Sequence, residues 1–208
     1  MEAWKVILIG GTSHAGKSTL AQSIGQRLGW DVTSTDRLAR HPGRPWKTVQ
    51  RSVPPHVADH YSSLSVEALL ADVLHHYQRL WPTVCDIVLR PISTPSARGL
   101  VLEGSALWPV WAASLDAYRS RAVWLTASDD FLQQRIYIES RFSDATEPEK
   151  ALIRKFVDRT LLYNQRMMEE VRKLGLLSLN VENESSPDHL PDALLALMQK
   201  PGASFRQR

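Results

Sequence analysis

A chain of 208 residues with 43% hydrophobic and 23% charged residues holds enough apolar material for one core and excludes a disordered polar chain. A formal charge of +3 and a pI near 9.1 suit an anionic ligand such as a nucleotide, but are too weak to indicate a nucleic-acid groove. The single cysteine, Cys85, excludes an internal disulfide and a Cys-rich metal site, no apolar run is long enough to span a membrane, and the N-terminus lacks a signal peptide's layout, so a cytoplasmic protein is expected.

In chain order, the apolar run KVILIG (5–10) reads as a buried strand, followed by a glycine-rich turn and a helix that Gly29 closes. A second strand, DVTST (31–35), leads into residues 37–64, where Pro42, Pro45, Pro54 and Pro55 fall in a stretch without clear periodicity. A connection of that length in a compact domain is usually functional or disordered. Val66, Leu69, Leu70, Val73, Leu74, Tyr77 and Leu80 then mark one face of a helix. Strands LVLEG (100–104) and AVWLT (122–126) follow, and after them SRFSDATE (140–147), a polar interruption. A long helix carries Leu152, Ile153, Phe156, Val157, Leu161, Met168, Val171 and Leu174, with capping-box spacing at Thr146 and Glu149 and a stop at Gly175. LLSLNV (176–181) is the last strand, and the final residues, 201–208, read as a flexible tail. Strands alternating with helices predict a three-layer α/β/α fold on a five-stranded parallel sheet, as a single domain over 1–200.

The turn after the first strand is the specific signal. Gly11-Thr12-Ser13-His14-Ala15-Gly16-Lys17-Ser18 fits G-x-x-x-x-G-K-[ST] at each fixed position, between a predicted strand and a predicted helix. Glycines there let successive N–H groups point at phosphate oxygens, and the helix adds its positive end. Lys17 is placed for the β- and γ-phosphates and Ser18 for Mg²⁺, with Thr19 completing the nucleotide contacts. His14 is an unusual side chain for such a loop and receives no role from the sequence.

There is no Asn-Lys-x-Asp guanine signature and no Leu-Ser-Gly-Gly-Gln transporter signature, and the third strand ends in Glu103-Gly104. The loop, with STD at 34–36, resembles the small P-loop kinases of the nucleoside-monophosphate-kinase-like group. Within that group it looks most like chloramphenicol phosphotransferase and 2-phosphoglycerate kinase, with gluconate kinase more distant. The resemblance implies a P-loop fold with a small lid, and transfer of the γ-phosphate of ATP to a hydroxyl. The implied partners are ATP, Mg²⁺ and a small-molecule acceptor, without nucleic acid or membrane; a homodimer stays open. A nucleoside or nucleotide kinase and a non-catalytic ATP-binding regulator are the alternatives.

Asp36 stands nineteen positions after Lys17, where related kinases place an acid for the acceptor hydroxyl. Glu103 ends strand three at the same sheet edge, suited to the acceptor or to Mg²⁺ through water. Arg135 and Arg141 sit where a lid over 140–147 begins, and either supplies a planar cation for a transferring phosphoryl group; Arg154 and Arg159 are weaker candidates. Arg37, Arg40, His41 and Arg44 follow Asp36 and predict an anionic or polyhydroxylated acceptor, with Trp46 as a flat wall and Trp108 and Trp111 as another, unless these tryptophans are core.

Overall fold

In the computed structural model, residues 4–38, 42–48, 52–94, 96–115, 119–184 and 186–199 are described. The five strands are β1 (Val6–Gly11), β2 (Asp31–Ser34), β3 (Leu100–Glu103), β4 (Ser120–Thr126) and β5 (Ser178–Asn180). They form one parallel sheet in the order β2-β3-β1-β4-β5. All six residues of β1 are buried, as an apolar run at the centre of a covered sheet must be. Side chains alternate along it: Val6 and Leu8 pack on one side, Ile7 and Ile9 on the other.

The first side is covered by α3 (Val66–Ser93), α4 (Pro109–Ala112) and α6 (Glu147–Lys173), through residues such as Val73, Ala112, Tyr163 and Met167. The second is covered by α1 (Lys17–Leu28) and α7 (Leu190–Gln199), through Leu20, Ile24, Leu194 and Met198. This is the three-layer α/β/α arrangement expected from the alternating pattern. A third cluster lies outside the sheet, where α2 (Pro55–Ser63), α5 (Asp129–Ser140) and α6 meet around Trp46, Tyr61, Ile136 and Phe156.

Gly29 and Gly175 both adopt left-handed φ, at 65° and 63°, and end α1 and α6 as predicted. The turn at Gly175 includes a bond from Leu176 N–H to Val171 O at 3.0 Å, so β5 begins at Ser178 rather than at 176. The face traced from Val66 to Leu80 continues through Val84 and Val88, and α3 runs to Ser93 with Pro82 and Pro91 inside it. Within 37–64 a helix forms where the sequence shows no pattern. Pro54 is its N-cap and Pro55 its first residue, positions where a missing N–H costs nothing. The predicted lid, 140–147, contains a 3₁₀ turn at Phe142–Asp144, with Phe142 stacked on Tyr137 at 4.0 Å between centroids.

Candidate active site

The loop between β1 and α1 builds the first half of the site. Gly16, the N-cap of α1, holds φ 87°, a left-handed turn that favours glycine, and so opens the first N–H groups of α1 toward the loop. Lys17 is 8% exposed, and its Nζ donates to Thr12 O at 2.7 Å within its own loop. Burial lowers the pKa of Lys17, while the Glu103 and Asp36 carboxylates partly oppose that shift. Thr12 Oγ1 donates to Thr160 O at 3.3 Å and ties the loop to α6.

Strand ends supply the acids. Parallel register aligns Ser34 of β2 with Glu103 of β3, and Glu103 with Ile9 of β1, so all three finish at one edge. Glu103 is 3% exposed and accepts a hydrogen bond from Ser18 Oγ at 3.0 Å. This carboxylate–hydroxyl pair at the start of α1 is a donor set of hard oxygens, the kind that Mg²⁺ takes beside phosphate. Asp36 lies in a 3₁₀ turn, Thr35–Arg37, directly after β2. Its N–H is capped by Ser34 Oγ at 3.3 Å, and its carboxylate makes no hydrogen bond or ion pair among the described residues. Gly104 (φ 146°) lets the turn after β3 press against this one, since a Cβ there would collide with the Thr35 side chain.

Two cavities meet over this edge. One, of about 500 Å³, lies on the loop and is lined by Gly16, Lys17, Ser18, Thr19, Glu103 and Arg135. The other, of about 900 Å³, extends beneath α2, α3 and α6. Ser13, Asp36, Arg44 and Ser105 line both, and so mark the passage between them.

His14 occupies the loop tip with φ 66° and a side chain that is 4% exposed. Burial, and then the charges of Arg44, Lys17, Arg135 and Arg159, push its pKa down to about 3, so the ring is neutral. Its Nε2 lies 2.8 Å from Glu139 Oε2 on α5, and its Nδ1 is 2.9 Å from Ser13 Oγ. The Nε2–carboxylate approach is a close contact without hydrogen-bond geometry, while the Nδ1–Oγ pair is hydrogen-bonded. Glu139 also pairs with Arg44. Sequence gave no signal for Glu139.

Other predicted residues divide. Arg135 lines the loop cavity with its guanidinium 5.3 Å from the Phe131 ring. Arg141 is the left-handed C-cap of α5 and lines a separate surface pocket with Tyr137 and Phe142. Arg37 is exposed, while Arg40 and His41 lie outside the described residues, as does the tail 201–208. Trp46 is not a cavity wall: it is 2% exposed and packed edge-on against Phe156 at 4.9 Å. Trp108 is core, edge-on to Tyr163, and Trp111 packs against that core; neither lines either cavity.

Arg159 is the residue the sequence undervalued. It is 9% exposed and lines the larger cavity, with its guanidinium 4.6 Å from the Phe156 ring and one hydrogen bond, to Tyr61 Oη at 3.3 Å. It has no carboxylate partner among the described residues. The available signal was position: three residues after Phe156 and four before Tyr163, on the buried face of α6.

No family model matches the sequence, and no curated protein matches it. Solved structures do match across almost the whole chain. A gluconokinase from Sinorhizobium meliloti 1021 is 18% identical with a TM-score of 0.53, over 95% of this chain and 93% of that one. A shikimate kinase from Bacteroides thetaiotaomicron is 11% identical with a TM-score of 0.53, over 94% and 97%. The shikimate kinase from Aquifex aeolicus vf5 is 13% identical with a TM-score of 0.50, over 92% and 95%. At these identities the likeness establishes the fold shared with small P-loop kinases.

Proposed function

We propose that the protein is an ATP- and Mg²⁺-dependent phosphotransferase acting on a hydroxyl of a small molecule. The observation that carries this reading is the pair of joined cavities, one on the phosphate loop and one beyond it, with Asp36 at their junction and its carboxylate without a partner among the described residues. A regulator that only binds nucleotide has no use for a second cavity meeting the first at a carboxylate. The shared fold with enzymes named gluconokinase and shikimate kinase supports the reading. A narrower kinship, to chloramphenicol phosphotransferase and 2-phosphoglycerate kinase, rests on the loop residues and STD at 34–36.

In this reading the loop N–H groups and Lys17 hold the triphosphate, and Ser18 with Glu103 behind it holds Mg²⁺. When bound, the metal neutralises charge on the phosphate oxygens. The acceptor oxygen forms a bond to the γ-phosphorus as the bond to the ADP oxygen breaks, and the acceptor proton passes to Asp36. Arg135 and Arg44 stand at the loop cavity as the cations that offset charge on the transferring group. The test is acceptor-stimulated ADP release across metabolite pools, repeated with Asp36→Asn. The variant should bind ATP normally by calorimetry and lose about 10²–10⁴-fold in kcat. Unchanged transfer, or loss of nucleotide binding instead, refutes the role of Asp36. An absence of acceptor-dependent turnover in the parent protein refutes the function.

A further inference from the structure

Among the described residues three carboxylates line the loop cavity, and two of them have a task in the phosphotransferase reading: Glu103 stands behind Ser18, and Asp36 is at the junction. The third, Glu139 on α5, has none. A carboxylate in a cavity that holds a triphosphate raises the negative potential there, so it needs a cation of its own. His14 Nε2 lies 2.8 Å from Glu139 Oε2, but burial, and then Arg44 and the other nearby cations, hold the imidazole neutral. The balancing charge is Arg44, whose guanidinium pairs with Glu139 Oε1.

Arg44 reaches Glu139 from the other side of the site. Its segment, 43–46, is anchored by Trp46, buried against Phe156, and by Tyr61 Oη, which donates to Gly43 O at 3.0 Å. The pair therefore links the acceptor side to α5 across the phosphate loop. Arg44 lines both cavities, whereas Glu139 lines only the loop cavity. The terminal phosphate of a bound triphosphate belongs at the junction, because an acceptor in the larger cavity can meet it nowhere else. A guanidinium binds carboxylate and phosphate oxygens through the same N–H donors, so the two compete for Arg44. The fold does not depend on this pair: the side chains are 49% and 39% exposed, and exposed pairs contribute little to stability.

We propose that Glu139 stands in for the γ-phosphate: it holds Arg44 while no triphosphate is bound and yields it to the terminal phosphate, so that this exchange distinguishes ATP from ADP. A diphosphate ends short of the junction and leaves the pair in place. Glu139 is then a specificity-determining residue that acts through Arg44, not a catalytic one. Because Arg44 also lines the larger cavity, the same exchange carries the presence of the donor to the acceptor side. The inference rests on the proposed function for the seat of the triphosphate on the loop, but not for phosphoryl transfer.

Calorimetry on the full chain tests this, with Mg²⁺ and either ADP or the non-hydrolysable β,γ-imido analogue of ATP. The proteins are the parent, Glu139→Gln, Arg44→Met and the double variant. Glu139→Gln should bind the triphosphate analogue at least ~5-fold tighter, the lower end of ordinary coupling between sites, and change ADP binding by less than ~2-fold. In the Arg44→Met background the gain should vanish, since no cation is left to release. Glu139→Ala, which has no side-chain amide to hold Arg44, should repeat both results. Equal tightening of both nucleotides would make Glu139 a plain repulsive charge and overturn the proposal. A gain that survives Arg44→Met, or no gain in either Glu139 variant, also overturns it. Acceptor-dependent ADP release is read separately. Its absence beside a triphosphate-specific gain supports the proposal and refutes the phosphotransferase reading, whereas transfer without that gain does the reverse. No binding of either nucleotide by the parent refutes both.

Discussion

Replacing Arg159 by Met should leave the protein as stable as before, or more stable, while crippling its use of acceptor. The guanidinium is 9% exposed, has no carboxylate partner among the described residues, and makes one long hydrogen bond at 3.3 Å and one ring contact at 4.6 Å. Losing a desolvated cation–π contact costs about 2 kcal/mol, and losing a hydrogen bond to a charged group about 1.5 kcal/mol. Against these stands the desolvation of a buried ion, several kcal/mol after relaxation, which Met does not incur. Tyr61 is not orphaned by the change, because its hydroxyl still donates to Gly43 O at 3.0 Å. The expected stability change runs from about zero to a gain of about 2 kcal/mol, or a Tm rise of up to ~8 °C. An acceptor group that completes the cation's shell would lose a charged hydrogen bond, so KM for acceptor should rise at least ~10-fold. Thermal unfolding and steady-state kinetics with varied acceptor check both. A loss of ~3 kcal/mol or more would refute the reasoning, since Arg159 would then be a strut between α2 and α6 rather than a ligand group held in reserve.

Three further outcomes follow from the site. Lys17→Ala should severely weaken MgATP binding by calorimetry and also turnover; full turnover at saturating MgATP would remove Lys17 from the site. His14 is held at about 3 in the folded chain against 6.5 in the unfolded one, so the unfolded state takes up a proton first. Its contribution to stability is complete above 6.5 and lost progressively as pH falls toward about 3. Denaturant unfolding across that window should show a shallower acid limb in His14→Asn, a residue that tolerates the left-handed φ; an identical limb refutes the assignment. Hydrogen exchange over 140–147 should slow when an ATP analogue is added, as for a closing segment, and equal protection in both states would make it a fixed turn.

Elements with a local cause could be read from the sequence. The alternating burial of β1, the left-handed stops at Gly29 and Gly175, and the strand–loop–helix frame around Lys17 all follow from near neighbours in the chain. What could not be read depends on tertiary partners. Pro54 and Pro55 resemble breakers until the helix they start finds Trp46 and Phe156 to cover its apolar side. Trp46 follows Asp36 closely in sequence, yet the buried cluster around Phe156 claims it in place of the cavity.

The same division runs through the candidate site. Lys17, Ser18 and Asp36 are placed by loop and strand-end geometry that a short stretch of sequence encodes. Glu139 and Arg159 reach the cavities from α5 and α6, more than a hundred residues beyond the loop, and their positions depend on how those helices pack. The nucleotide side of such a site is therefore legible because a phosphate cradle has few backbone solutions. The acceptor side is assembled from side chains on three helices, each free to change without disturbing the loop. This is why a motif can indicate the phosphate donor, while the acceptor has to be sought in the cavity wall formed by Tyr77, Leu80, Phe156 and Arg159.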